Sequence, residues 1–410
     1  MDPVRNPYTP NAGAQPPATF GRDAQIHNFN LLLRRMSLGR TEQSMIVTGL
    51  RGVGKTVLLG QFYLEALKQD WVVVEVEATK HDDPAFRSRM AADAKSVLFT
   101  LSPRARWNER IERAGRVLKS FSVSIDATGT VSAGLNVEAL EGVGDRGDLP
   151  HDLTDLFVAF GEAAQSKNRG VVLLYDEVQF LSRSQLEALI TALHKTVQRG
   201  LPVTMVGAGL PQIAELAGDA KSYAERLFRF PHIGHLDHPD ARLALARPAE
   251  DEGAHYTDAA LDRAVLVTGG YPYFIQELGY AVWGLAEGPT VTEQDVLDAE
   301  ALYQAKLDSS FFRVRLDRAT AKQTAYLRAM AALGPQPQKA ADVAAVMGRD
   351  STQVGTTRAE LISMGLLYTP EHGYAAFTVP HFDTFMLRAV PELVVPEIRK
   401  RTKRSQPAET

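Results

Sequence analysis

The chain has 410 residues, with 45 Lys and Arg against 49 Asp and Glu, for a net charge of −4. That balance excludes a protein holding polyanions by overall charge, so any nucleic-acid contact needs a local basic patch. The absence of cysteine excludes disulfides, zinc–thiolate sites and thiol nucleophiles, and fits a reducing cytoplasm.

The length predicts two or three domains of about 100–200 residues each. No apolar run approaches the roughly 18 residues needed to cross a membrane, so no membrane partner is expected. The first stretch, Met1 to Thr19, is rich in Pro, Asn and Ala and reads as an extended arm. It lacks the basic-then-apolar order of a secretory signal. A helix follows over Asp23 to Met36, with Ile26, Phe29, Leu32 and Leu33 on one face. Met45-Ile46-Val47-Thr48 reads as a compact strand that runs into a glycine-rich turn. The next helix carries Leu58, Leu59, Phe62 and Ala66 at helical spacing, and Trp71 to Val76 is a second strand. Strand, turn, helix, strand is the start of a parallel α/β sheet with helices on both faces.

Residues 83–120 read as helical and charged. Phe121 to Ile125 and Val131 to Val137 alternate apolar and polar around a turn-like stretch, Asp126 to Thr130, which predicts a β-hairpin inserted into the α/β alternation. Glu141 to Asp148 reads as a loop. Asp152 is expected to cap a helix carrying Leu153, Leu156, Phe157, Phe160 and Ala164. Val171 to Tyr175 is a continuous apolar run, as for a strand buried on both faces. A helix over Gln185 to Gln198 leads to a further strand, Val203 to Val206, and the pattern from Pro239 to Leu307 is helical. The expected division is therefore an arm at 1–19, a core at 20–237 with an insertion at about 83–150, a helical lid at 238–317, a unit at 318–390 and a basic tail at 391–410.

Gly49-Leu50-Arg51-Gly52-Val53-Gly54-Lys55-Thr56 matches the phosphate-binding pattern G-x-x-x-x-G-K-[ST]. Glycines let the backbone turn its N–H groups inward, and the helix that opens there favours an anion at its N-terminus. Lys55 is placed to reach the β- and γ-phosphates of ATP or ADP, Thr56 to bind Mg²⁺ through its hydroxyl, and Val57 to border the same site. The apolar run 171–175 ends in Asp176-Glu177. Parallel sheets carry ligands at the carboxyl ends of strands, which puts Asp176 beside the Mg²⁺ and makes Glu177 the group to orient or deprotonate an attacking water. His232, His235 and His238 recur every third residue, but Pro231, Gly234 and Pro239 make this stretch irregular, so a metal site is not implied. The charged helix from Arg104 to Lys119 reads as a solvated face.

With these motifs, the segment Phe20-Gly21-Arg22-Asp23 makes the chain resemble AAA+ ATPases of the origin-recognition type and the related archaeal and STAND-like ATPases. The resemblance implies ATP hydrolysis to ADP and phosphate. It also assigns an arginine finger to Arg226 in Ala224-Glu225-Arg226-Leu227-Phe228, with Arg229 as the alternative. Such a finger reaches a γ-phosphate in cis or across the interface of a homo-oligomer. Gly269-Gly270-Tyr271-Pro272 is similar to the turn that closes the lid over nucleotide, which would bring Tyr271 and Pro272 near adenine or ribose. Tyr8 or Pro7 of the arm is a candidate for packing on adenine. The sequence departs from the family at the end of the fourth strand, where Gly207-Ala208-Gly209 stands in place of a polar sensor.

Residues 318–390 read as three helices (319–333, 340–347 and 351–364) followed by a hairpin around Pro370-Glu371-His372-Gly373, a winged-helix pattern. The third helix offers Thr352, Gln353, Thr356, Glu360 and Ser363 outward, with basic help only from Arg349 and Arg358. Arg399 to Arg404 could add a cationic arm. Three functions stay open: an ATPase whose nucleotide state controls a winged helix on double-stranded DNA, a signalling or defence switch that oligomerises on ATP and contacts protein, and a nucleotide-binding scaffold without turnover.

Overall fold

A computed structural model describes residues 1–11, 13–79, 82–102, 106–123, 135 and 137–397. The chain divides into two compact units, Met1–Tyr303 and Gln304–Thr410. No helix among the described residues is long and apolar enough to cross a membrane.

The first unit begins with α1 (Asp23–Ser37), β1 (Ser44–Thr48), α2 (Lys55–Lys68), β2 (Val72–Glu77), α3 (Asp83–Leu101), α4 (Glu109–Val123) and α5 (Leu149–Gln165). It continues through β3 (Val171–Asp176), α6 (Arg183–Gln198), β4 (Val203–Gly209), α7 (Ile213–Ala220), α8 (Ala224–Leu227) and β5 (Phe228–Arg229). The five strands form one parallel sheet in the order β2-β3-β4-β1-β5. All of β1 and β4 and the apolar run of β3 are buried, because helices cover both faces of a parallel sheet. The Phe29 and Phe62 rings stack at 4.5 Å and join α1 to α2. β5 pairs only with the amino end of β1, Phe228 beside Ser44 and Arg229 beside Met45.

Two expectations are corrected here. Asp152 does not cap α5. The cap is Asp148, which accepts from the His151 amide, and Pro150 occupies the first turn. Asp152 lies one turn inside, 0% exposed, accepting from Arg87 at 2.9 Å and from the Arg146 amide at 2.9 Å. The acidic residue before the apolar run was a buried ion-pair partner, and the true cap stood four residues upstream. The hairpin expected over 121–137 lies mostly outside the described residues, but its start is helical. Ile111, Ala114, Val117, Leu118 and Phe121 are buried along α4 at helical spacing. A short apolar–polar alternation at a helix end cannot by itself separate the two periods.

The helical part of this unit comprises α9 (His238–Asp251), β6 (His255–Tyr256), α10 (Asp258–Thr268), α11 (Pro272–Leu285), β7 (Thr290–Val291) and most of α12 (Glu293–Lys306), which runs across the division at Tyr303. The short parallel pair β6–β7 was not foreseen, since two residues carry no readable period. The N-terminal arm packs along these helices. The Trp283 indole donates to the Asp2 carbonyl at 2.8 Å, and the Thr9 amide donates to Gln276 Oε1 at 2.9 Å. Tyr8 is 1% exposed and its hydroxyl donates to the Leu245 carbonyl at 2.6 Å, with the Tyr256 hydroxyl 3.2 Å away.

The second unit holds α13 (Arg313–Leu316), α14 (Ala321–Leu333), β8 (Gln338–Lys339), α15 (Ala340–Val346), α16 (Ser351–Ser363), β9 (Leu367–Tyr368), β10 (Tyr374–Phe377) and α17 (Phe382–Ala389). Thr320 and Gln323 close α14 with a reciprocal capping box. The strands form an antiparallel sheet, β8-β10-β9. β8 and α17 escaped the sequence pattern, β8 because it is two residues next to Pro337. Phe312, Phe377, Phe382 and Phe385 pack as an aromatic core.

Candidate functional site

The site sits at the carboxyl end of the sheet, where β1 runs through the glycine turn into α2. Gly52 and Gly54 have φ of +86° and +88°, a region that side chains resist. A Cβ on Gly52 would also stand 3.1 Å from both Tyr271 and Tyr273.

Lys55 is buried at the first position of α2, and its ammonium donates to the carbonyls of Gly49 at 3.0 Å and Leu50 at 2.8 Å. Burial lowers its pKa from 10.5 to about 8, against the opposing pull of the Glu177 and Asp176 carboxylates. The Thr56 hydroxyl donates to Asp176 Oδ2 at 2.5 Å. Asp176 ends β3, which is separated from β1 by β4. Burial raises its carboxyl above the usual range, and the Thr56 hydrogen bond pulls the other way. Glu177 is a non-glycine residue in the left-handed region, φ +53°. That turn aims its amide at Asp176 Oδ1, 2.8 Å away, and costs on the order of 1 kcal/mol. The Glu177 carboxylate faces Arg51 at 3.4 Å and accepts from the Gln179 amide.

The helical segment closes onto this loop. The Tyr271 hydroxyl donates to the Arg51 carbonyl, and the Tyr273 amide donates to the Gly52 carbonyl at 3.1 Å. Pro272 opens α11 beside them. Arg22 is 9% exposed and donates to the carbonyls of Val53 at 3.1 Å and Gly234 at 2.7 Å, tying the loop to the chain leading into α9. Burial lowers the Arg22 pKa.

Gly49 through Val57, Asp176, Glu177, Tyr271 and Pro272 are thus gathered at one end of the sheet. Arg226 is not among them. It precedes β5, which pairs with the amino end of β1, and so lies at the opposite end of the sheet from the loop of its own chain. Arg229 is held by Glu42 at 2.5 Å and Gln43 at 3.0 Å. Tyr8 is enclosed against α9, β6 and α11, so its ring has no free face for adenine. Its Asn-Pro-Tyr context resembled a loose arm, and only burial reveals an anchor. Tyr273 and Gln179 escaped sequence reading because each is one polar residue without a motif. Arg22 was quoted only within a resemblance.

The turned amides, the buried lysine and the hydroxyl–carboxylate pair are the donor set that a Mg²⁺–nucleotide needs. The sheet order and loop position define an α/β P-loop fold. Residues 18–206 match the family model of the AAA ATPase domain, and residues 309–386 match that of a domain of unknown function. The fold is similar to that of a Walker-type ATPase of Pyrococcus abyssi, with TM-score 0.51 and 15% identity over 90% of this chain and 95% of that one. The RuvB Holliday junction branch migration motor of Thermotoga maritima aligns with TM-score 0.47 and 14% identity, over 87% of this chain and 92% of that one. The ORC1 protein of Aeropyrum pernix, solved in complex with DNA, aligns with TM-score 0.46 and 14% identity, over 94% of this chain and 96% of that one. No curated protein matches the chain.

Proposed function

We propose that the protein is a Mg²⁺-dependent ATPase that hydrolyses ATP to ADP and phosphate, and that its nucleotide state controls a C-terminal winged helix on double-stranded DNA. The observation that carries the ATPase part is the Thr56–Asp176 pair with Glu177 beside it at the mouth of the glycine turn. Lys55 and the amides from Leu50 to Val57 would hold the phosphates, and Thr56 and Asp176 the Mg²⁺, which neutralises phosphate charge. Glu177 would orient or deprotonate water. Residues 238–317 would serve as lid. Arg226 would act on the nucleotide of a neighbouring copy in a homo-oligomer.

Steady-state phosphate release tests the ATPase part. Turnover should vanish in Glu177→Gln while ATP binding persists, and Lys55→Ala should abolish binding in calorimetry. A wild-type chain that binds ATP without turnover would leave only a scaffold.

The DNA part is supported by exposed Thr352, Gln353, Thr356, Glu360 and Ser363 on α16. One observation favours a second reading, in which this module contacts protein in a signalling switch. The two nearby arginines are engaged internally: Arg349 donates to the Pro396 carbonyl at 3.1 Å, and Arg358 to Thr369 and the Tyr374 carbonyl at 3.1 and 2.5 Å. The basic tail at 399–404 lies outside the described residues. Phosphate contacts dominate DNA affinity, so duplex binding that weakens steeply with salt supports the first reading. No binding at low salt supports the second.

A further inference from the structure

The carboxyl end of β4 has no polar side chain, because it reads Gly207-Ala208-Gly209. A polar group nevertheless stands there, delivered from the turn after β3. Val178 and Gln179 follow Glu177 in a single 3-10 turn, Val178–Phe180. Val178 is fully buried against the two glycines: a Cβ on Gly207 would lie 3.1 Å from it, and one on Gly209 only 2.8 Å. The same Cβ on Gly209 would stand 2.9 Å from the Gln179 amide oxygen. The glycines therefore make the room into which the turn after the acidic pair is fitted.

Gln179 uses both ends of its amide. Its oxygen accepts the Leu210 amide at 3.1 Å, and its nitrogen donates to Glu177 Oε2. A backbone N–H only donates and a carboxylate only accepts, so one orientation of the amide satisfies both partners. Beyond this bridge, the Gly209 carbonyl accepts the Gly49 amide at 3.1 Å. Glu177 is thereby tied to the glycine turn on two sides, directly through Arg51 and indirectly through Gln179, the end of β4 and Gly49.

We propose that Gln179 is the positioning residue for Glu177, supplying from the turn after β3 the polar group that the end of β4 lacks. This rests on the ATPase reading above and deepens it. Leucine would fill the space without either bond. Glutamate would keep the shape and the bond from the Leu210 amide, but would set an acceptor, and in its charged form a like charge, against the Glu177 carboxylate. Asparagine is about 1.5 Å too short to span both partners.

The test is ATP affinity, kcat and thermal midpoint for wild type, Glu177→Gln, Gln179→Leu and Gln179→Glu. Gln179→Leu should keep ATP affinity and lower kcat by about 10- to 100-fold, part of what a positioned base contributes. Gln179→Glu, which preserves volume, should lose as much or more. Wild-type turnover abolished by Glu177→Gln yet unchanged in both Gln179 variants would overturn this proposal alone. So would loss in Gln179→Leu with full activity in Gln179→Glu, which marks a packing role. A wild-type chain with no turnover would overturn the ATPase reading and this proposal with it.

Discussion

Lys55 carries its charge in a place that resists charge. Its ammonium is desolvated and leans on two carbonyls, so its pKa falls to about 8. Between there and the unfolded value of 10.5, the unfolded chain holds a proton that the folded chain has lost. Stability from this group therefore rises with pH across that window. Nucleotide binding has the opposite sign, because phosphate favours the ammonium. ATP affinity should fall as pH rises through about 8, and binding at about pH 8.5 should take up a proton that binding at about pH 6.5 does not. Calorimetry in buffers of different ionisation enthalpy reads this directly; equal uptake at both values would show that Lys55 is already charged. At Gly52, φ of +86° and the closeness of Tyr271 and Tyr273 oppose any side chain. Gly52→Ala should lower the thermal midpoint and weaken ATP binding together, by at least about 1 kcal/mol in stability; a midpoint equal to wild type would reject the strain.

Elements are joined by buried polar bonds as well as by apolar area. Arg87 on α3 reaches Asp152 on α5, a carboxylate that is 0% exposed. Removing only the arginine leaves a buried charge, which typically costs about 3–5 kcal/mol. Arg87→Met should therefore destabilise more than the double change Arg87→Met with Asp152→Leu, in urea unfolding. A double variant no better than the single would place the energy elsewhere. The arm is held by Tyr8 against α9, β6 and α11. Tyr8→Ala should cost about 3–5 kcal/mol through the lost ring, and Tyr8→Phe about 1 kcal/mol through the lost hydrogen bond to the Leu245 carbonyl. A negligible effect of Tyr8→Ala would mean that the arm is not part of the folded unit.

At the scale of the molecule, the sheet separates two ends. Gly49 to Thr56 leaves one end of β1, and Arg226 precedes the strand beside its other end. An arginine so placed cannot serve its own loop, so its proposed role requires a second copy. Arg226→Ala should retain ATP affinity and lose turnover, and mixing it with Glu177→Gln protein should restore part of the rate. Absence of rescue over a range of protein concentrations would count against a shared site. The interior of the core was legible along the chain because parallel strands are written as unbroken apolar runs, as in 171–175. The small strands, β6 to β8, were not, because two residues show no period and exist only through their partners.

The sequence by itself determined the phosphate loop and its acidic partner, since G-x-x-x-x-G-K-T and an apolar run ending in Asp-Glu need specific residues in a specific local order. It also determined the helices whose apolar spacing is regular. Tertiary structure alone decided how distant single residues meet. It set Tyr271 and Tyr273 on the loop, turned Tyr8 into an anchor, made Asp152 a buried ion-pair partner, and brought Gln179 to the glycine end of β4. Such meetings depend on where the chain returns in space, and no local period encodes them.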